Sequence, residues 1–128
     1  MKTLKYSSIV LLVLMVGCLG QKPIDQMSPE EKAYKILSSS LSVYNLTMES
    51  VAEFQKEGII SPEIRKDING IAGKYRLAHI VASRALYAYK RLSSPEGESQ
   101  LMAALDEAQK AFNDFLGFVE PIIRKGVK

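Results

Sequence analysis

The chain of 128 residues has one cysteine, one histidine and no tryptophan. One cysteine allows no internal disulfide, so any fold must stand on packing. A metal site built on His79 would want a second His, a Cys or a carboxylate three or four residues away. Tyr75, Arg76, Ala82 and Ser83 stand there instead. No CxxCH is present for haem attachment, no GxSxG, no Gly-rich phosphate loop and no low-complexity tract. The clustered carboxylates are Glu30 and Glu31, Glu96 and Glu98, and Asp106 and Glu107. The first two groups sit at helix starts and the third faces solvent, whereas paired acid/base chemistry needs a shared cleft. The residues therefore predict no cofactor, no metal and no enzyme.

Charge of one sign is also missing. Seventeen basic residues stand against fourteen acidic ones. Lys2 and Lys5 belong to the N-terminal segment, and without them the balance is about +1. Nothing in that balance points to nucleic acid.

What is present begins at the N-terminus. Lys2 and Lys5 precede eight apolar residues, Ile9 to Val16, then Gly17 and Cys18. A basic n-region, a short apolar core and a small residue before the cleavage point form the layout of a secretory signal. The run is well short of the ~20 apolar residues that span a bilayer as a helix. Met15-Val16-Gly17-Cys18 resembles the lipobox of prokaryotic lipoproteins, with Met15 in place of the usual Leu. The resemblance covers residues 1–18. It implies diacylglyceryl attachment to the Cys18 sulfur, cleavage before Cys18 and anchoring on the non-cytoplasmic side of a membrane. Leu19, being non-acidic, implies the outer membrane where the cell has one. Two or more acyl chains hold a protein stably on a bilayer. Residues 1–17 are thus read as signal, 18–27 as a lipidated tether and 28–128 as one domain.

Three helix starts follow at a spacing of 33 residues: Ser28-Pro29-Glu30, Ser61-Pro62-Glu63 and Ser94-Pro95-Glu96. Each offers a hydroxyl N-cap, a proline at the first helical position and a carboxylate in the first turn. The apolar positions behind them do not overlay, so these are three similar starts and not three copies of a repeat.

Each start opens an apolar stripe with spacings that alternate three and four. The first runs Tyr34, Leu37, Leu41, Tyr44, Met48, Val51 and Gln55. The second runs Ile64, Ile68, Ile71, Tyr75, Ala78, Ala82, Ala85, Tyr89 and Leu92. The third runs Leu101, Leu105, Ala108, Phe112, Phe115, Val119 and Ile122. Short turns near Gly58–Ser61 and Ser93–Ser94 make neighbours antiparallel. The fold class expected is all-α, an antiparallel three-helix bundle with heptad seams. Its layers from the tether end would be Tyr34/Ala85/Leu105, Leu37/Ala82/Ala108, Leu41/Ala78/Phe112, Tyr44/Tyr75/Phe115, Met48/Ile71/Val119 and Val51/Ile68/Ile122. Gly70 and Gly73 are expected to admit a close approach of the third helix, and Pro121 to bend or end it, with residues 122–128 fraying.

One stripe lies opposite the seam on the second helix: Lys74, Leu77, Ile80, Arg84, Tyr87 and Arg91. Apolar residues on a solvent face, rimmed by arginine, mark contact surfaces. Leu77, Ile80, Arg84, Tyr87 and Arg91 are the partner-binding candidates, and their arginines also suit anionic headgroups. A weaker patch is Ile36, Val43 and Phe54. The function expected is non-enzymatic: an envelope lipoprotein presenting a helical surface to a protein partner or to a second copy. Its general look is similar to phage-derived envelope factors, an analogy of overall form only. The alternative is a small-ligand or metal-binding envelope protein using the bundle interior around His79, Tyr75 and Tyr44.

Overall fold

The computed structural model describes residues 26–126. The signal segment, Cys18 and most of the tether lie outside them. Three helices account for nearly all of the described chain: α1 Pro29–Lys56, α2 Pro62–Arg91 and α3 Pro95–Gly126. They pack as an all-α three-helix bundle, with α2 and α3 the most extensively joined pair.

The three serines act as the sequence requires. Ser28 Oγ accepts from the Glu31 amide at 3.2 Å, Ser61 Oγ from Ile64 at 3.2 Å and Ser94 Oγ from Gly97 at 2.9 Å. Each supplies a partner for an amide that the helix itself leaves unpaired. The first helix is stopped by Gly58, two residues past Lys56 and at φ +79°. The Gly58 amide donates to Gln55 O at 3.0 Å and the Ile59 amide to Phe54 O at 2.8 Å. Those two bonds make a Schellman cap, which needs a left-handed residue at Gly58. The buried apolar residue beyond the cap is Ile60, while Ile59 is largely exposed.

The buried residues form two clusters along the bundle. The one nearer Ser28 holds Ala33, Leu37, Ala82, Leu101, Leu105 and Ala108. The other holds Tyr44, Val51, Phe54, Ile60, Ile68, Ala72, Tyr75, Phe115 and Val119. The Tyr44/Tyr75/Phe115 layer forms as expected, with Tyr44 centred 4.9 Å from Tyr75 and 5.0 Å from Phe115. Leu37, Ala82 and Ala108 share the other cluster, also as expected.

The α1 seam is rotated from the expected one. Leu37, Tyr44 and Val51 are inside on either reading. Their neighbours inside are Ala33, Ser50 and Phe54, with Ser40 half-buried on the same flank, while Tyr34 and Leu41 are exposed, as is Gln55. The other two helices lie against the flank of α1 that carries the smaller side chains. Phe54 therefore leaves the weaker surface patch and closes the core, at 1% exposure. Ile36 of the same patch packs against the core and Val43 is half-buried. On α2, Ile64 and Leu92 sit at the two helix ends and are exposed.

Two further expectations are corrected. A Cβ added at Gly70 or Gly73 would meet nothing within 4 Å, so neither glycine serves a close approach. Of the bend or end expected at Pro121, the end does not occur: α3 runs on to Gly126. Ile122 and Ile123 beyond it pack against the core, and that burial offsets the donor lost at the proline.

Candidate functional site

The second helix carries the face that the sequence singled out. Its inward side, Ile68, Ala72, Tyr75 and Ala82, is buried. On the opposite side Leu77 is 65% exposed, Tyr87 64% and Ile80 45%. Lys74, Arg84 and Arg91 are exposed on the same side. A helix that belongs to a bundle normally turns polar residues outward. Here the outward arc has an apolar middle with basic residues along it.

Val81 belongs to this arc and is 51% exposed. The stripe read from sequence omitted it, because a strict three-four alternation passes from Ile80 to Arg84. Val81 lies one helical turn beyond Leu77, so a wider arc drawn about Leu77 would have included it. Ala88, two turns beyond Val81, is exposed too. The Arg91 guanidinium lies over the Tyr87 ring at 5.9 Å from its centre. That contact stiffens the C-terminal end of the face and is worth ~0.5–1 kcal/mol at an exposed site.

The electrostatics of the arc are one-sided. No carboxylate occurs between Asp67 and Glu96, while Lys74, Arg76, Arg84, Lys90 and Arg91 fall in that interval. Of the five, Lys90 is paired, 3.8 Å from Glu30 on α1. That pair joins the start of α1 to the end of α2. An open groove lined by Ser28, Glu30, Glu31, Tyr34, Leu86 and Lys90 lies at the same end. The α3 helix has the opposite character, with six acidic and three basic residues.

The interior offers a polar element but no evident ligand set. Tyr75 donates its hydroxyl to Ser40 Oγ at 3.0 Å, and the same oxygen lies 3.4 Å from His79 Nδ1. Ser40 in turn donates to the Leu37 carbonyl at 3.2 Å. Burial holds the Tyr75 hydroxyl above its ordinary pKa, opposed by the Ser40 bond and reinforced slightly by Tyr44. Burial pushes His79 below its ordinary value. A half-buried imidazole that resists protonation and touches an aromatic hydroxyl is a packed histidine at the edge of the core. Among the described residues no three His, Cys, Asp or Glu come together in a way that could hold a metal ion. No described helix is long and apolar enough to cross a membrane.

No family model matches the chain, and no curated protein or solved structure matches it either. The face itself therefore carries the functional argument.

Proposed function

We propose that the chain is a lipid-anchored envelope protein that works by contact, through the outward face of α2. The observation that carries this is the exposure of Leu77, Ile80, Val81 and Tyr87 on one arc, with Arg84 and Arg91 along it. Grouped apolar side chains on the surface of a helical bundle cost solubility, and they mark a place where something else packs. The lipobox-like Met15-Val16-Gly17-Cys18 supplies the anchor. A bundle with its own apolar core needs no ligand in order to fold, which suits a presenting module.

The ligand-binding alternative has less in its favour. The hydroxyls of Tyr75 and Ser40 satisfy each other and a backbone carbonyl, leaving no set of polar groups aimed at an empty space.

Two measurements test the proposal. Cys18→Ala is expected to leave the chain unprocessed and without acyl label, as read by mass spectrometry of the N-terminal peptide. Unchanged processing and lipid content in that variant would remove the anchor. A photo-crosslinking residue at position 80 is expected to give adducts in intact cells, whereas one at position 106 on α3 gives none. Equal yields from the two positions would remove the face.

A further inference from the structure

We propose that the partner of the α2 face is an anionic phospholipid surface, and that the bundle lies on the membrane with α2 beneath it. This rests on the reading of that face as the contact surface and names what it contacts.

Charge complementarity chooses the occupant. The arc from Lys66 to Arg91 presents Lys66, Lys74, Arg84 and Arg91 to solvent against one carboxylate, Asp67, at its start, and Arg76 lies exposed on its flank. The apolar residues Leu77, Ile80, Val81 and Tyr87 fall between them. An apolar middle bordered by Lys and Arg is the pattern of a helix that lies in the interface of an anionic bilayer. The apolar side chains enter the headgroup region and the cations meet phosphates. Tyrosine favours that depth as well, having an apolar ring and a polar tip. Carboxylates on α2 are confined to its first two turns, Glu63 and Asp67, whereas α3 has Glu96, Glu98, Asp106, Glu107, Asp114 and Glu120. An anionic surface would repel that side and attract this one, so the bundle has a definite side to lie on.

A second copy fits the same face poorly. A two-fold pairing of α2 with α2 sets the same patch against itself. Lys74, Arg84 and Arg91 would then crowd the same three cations of the other copy.

The geometry of the anchor agrees. The chain enters the bundle at Ser28, and the Lys90–Glu30 pair places that point beside the end of α2. Nine residues, and so ten residue-to-residue steps, separate Cys18 from Ser28. Fully extended they reach about 35 Å. The face from Leu77 to Arg91 is about 21 Å long at ~1.5 Å per residue. The whole of it lies within reach of a membrane held at Cys18.

The test uses the chain from residue 19 onward, which retains every residue of the described core and lacks the anchor. Sedimentation with vesicles of phosphatidylglycerol and phosphatidylcholine is compared with sedimentation on phosphatidylcholine alone. Binding is expected on the anionic vesicles and to weaken by at least tenfold on the neutral ones. Arg84→Glu with Arg91→Glu is expected to lower the anionic partition by roughly thirtyfold or more, at about fivefold for each cation removed. Leu77→Ser with Ile80→Ser is expected to lower it as well, with helicity unchanged by circular dichroism. Lys110→Glu with Lys125→Glu makes the same change in net charge on α3 and is expected to leave binding within about twofold. Equal binding to both vesicle types, or equal loss in the α2 and α3 variants, would overturn the proposal. So would an absence of vesicle binding, whether position 80 crosslinks to a protein or the chain dimerises through α2. In the last two cases the contact role of the face stands and only the lipid assignment falls. Acylation of Cys18 is read separately and bears on the anchor alone.

Discussion

Tyr75 on α2 donates its hydroxyl to Ser40 on α1 at 3.0 Å, and this is a side-chain hydrogen bond between helices in the middle of the bundle. The Tyr75 ring is fully buried, stacked with Phe115 and tilted against Tyr44 and Phe112. The hydroxyl reaches the edge of the core while the ring fills it. Ser40 keeps its own bond to the Leu37 carbonyl. Tyr75→Phe therefore removes one bond without stranding its partner and is expected to cost about 1 kcal/mol. Phe115→Ala empties the same layer and is expected to cost about 3–5 kcal/mol. Urea unfolding of the two variants checks the contrast. Equal losses would mean that the layer is not packed as described.

His79 gives the bundle a mild acid sensitivity. Burial lowers its folded pKa, so the unfolded chain takes up this proton first as the pH falls through ~6.5. More protons are then bound by the unfolded state, and stability declines toward acid until the folded imidazole also titrates. Above that window His79 contributes no slope. His79→Gln is expected to remove this part of the decline between neutral pH and the onset of carboxylate titration. At the alkaline end Tyr75 acts in the opposite sense. Its raised pKa lets the unfolded chain ionise first above pH ~10, so stability falls as the pH rises, and Tyr75→Phe abolishes that fall. Thermal melts across pH for the wild type and both variants read the two slopes.

Gly70 and Gly73 are helix-interior glycines with open space around them. Replacing each by Ala is expected to stabilise the bundle by ~1 kcal/mol, because alanine lowers backbone entropy in the unfolded chain and here meets no neighbour. A melting temperature that does not rise in the double variant would show that the glycines are tolerated for a contact outside the isolated chain.

Gly58 behaves oppositely. At φ +79° a Cβ is strained even though nothing crowds it. Gly58→Ala is expected to destabilise by ~1–2 kcal/mol, with Gly58→Asn milder because asparagine tolerates the left-handed region. Chemical denaturation of the two variants should rank them in that order.

Much of the architecture was legible in the sequence. The Ser-Pro-Glu starts, the Gly58 stop and the alternating stripes on α2 and α3 each state local rules, and the chain follows them except at the ends of the α2 stripe, Ile64 and Leu92, which are exposed. The inward flank of α1 was not legible. Leu37, Tyr44 and Val51 define an axis that can be extended through Tyr34 and Leu41 or through Ala33, Ser50 and Phe54, with Ser40 half-buried beside them. Size favours the first set. The flank actually buried depends on which side of α1 the other helices lie, a property of the assembled bundle. Ala33→Gln is accordingly expected to cost about 1–3 kcal/mol by overpacking, while Tyr34→Gln stays near neutral. The outward arc of α2 was legible because an exposed apolar stripe on a basic helix breaks the expected pattern, and Val81 was missed only through drawing that stripe too narrowly.

The odd number of passes has a spatial consequence. Gly126 finishes beside Phe54 and Ile59, the pole farthest from Ser28. With α1 about 42 Å long at ~1.5 Å per residue, a dye carried after α3 would stand high above the lipid if the rod were upright. It would sit close to the lipid if the rod reclined on α2. Energy transfer from such a dye to a labelled bilayer would thus read the tilt of the molecule directly.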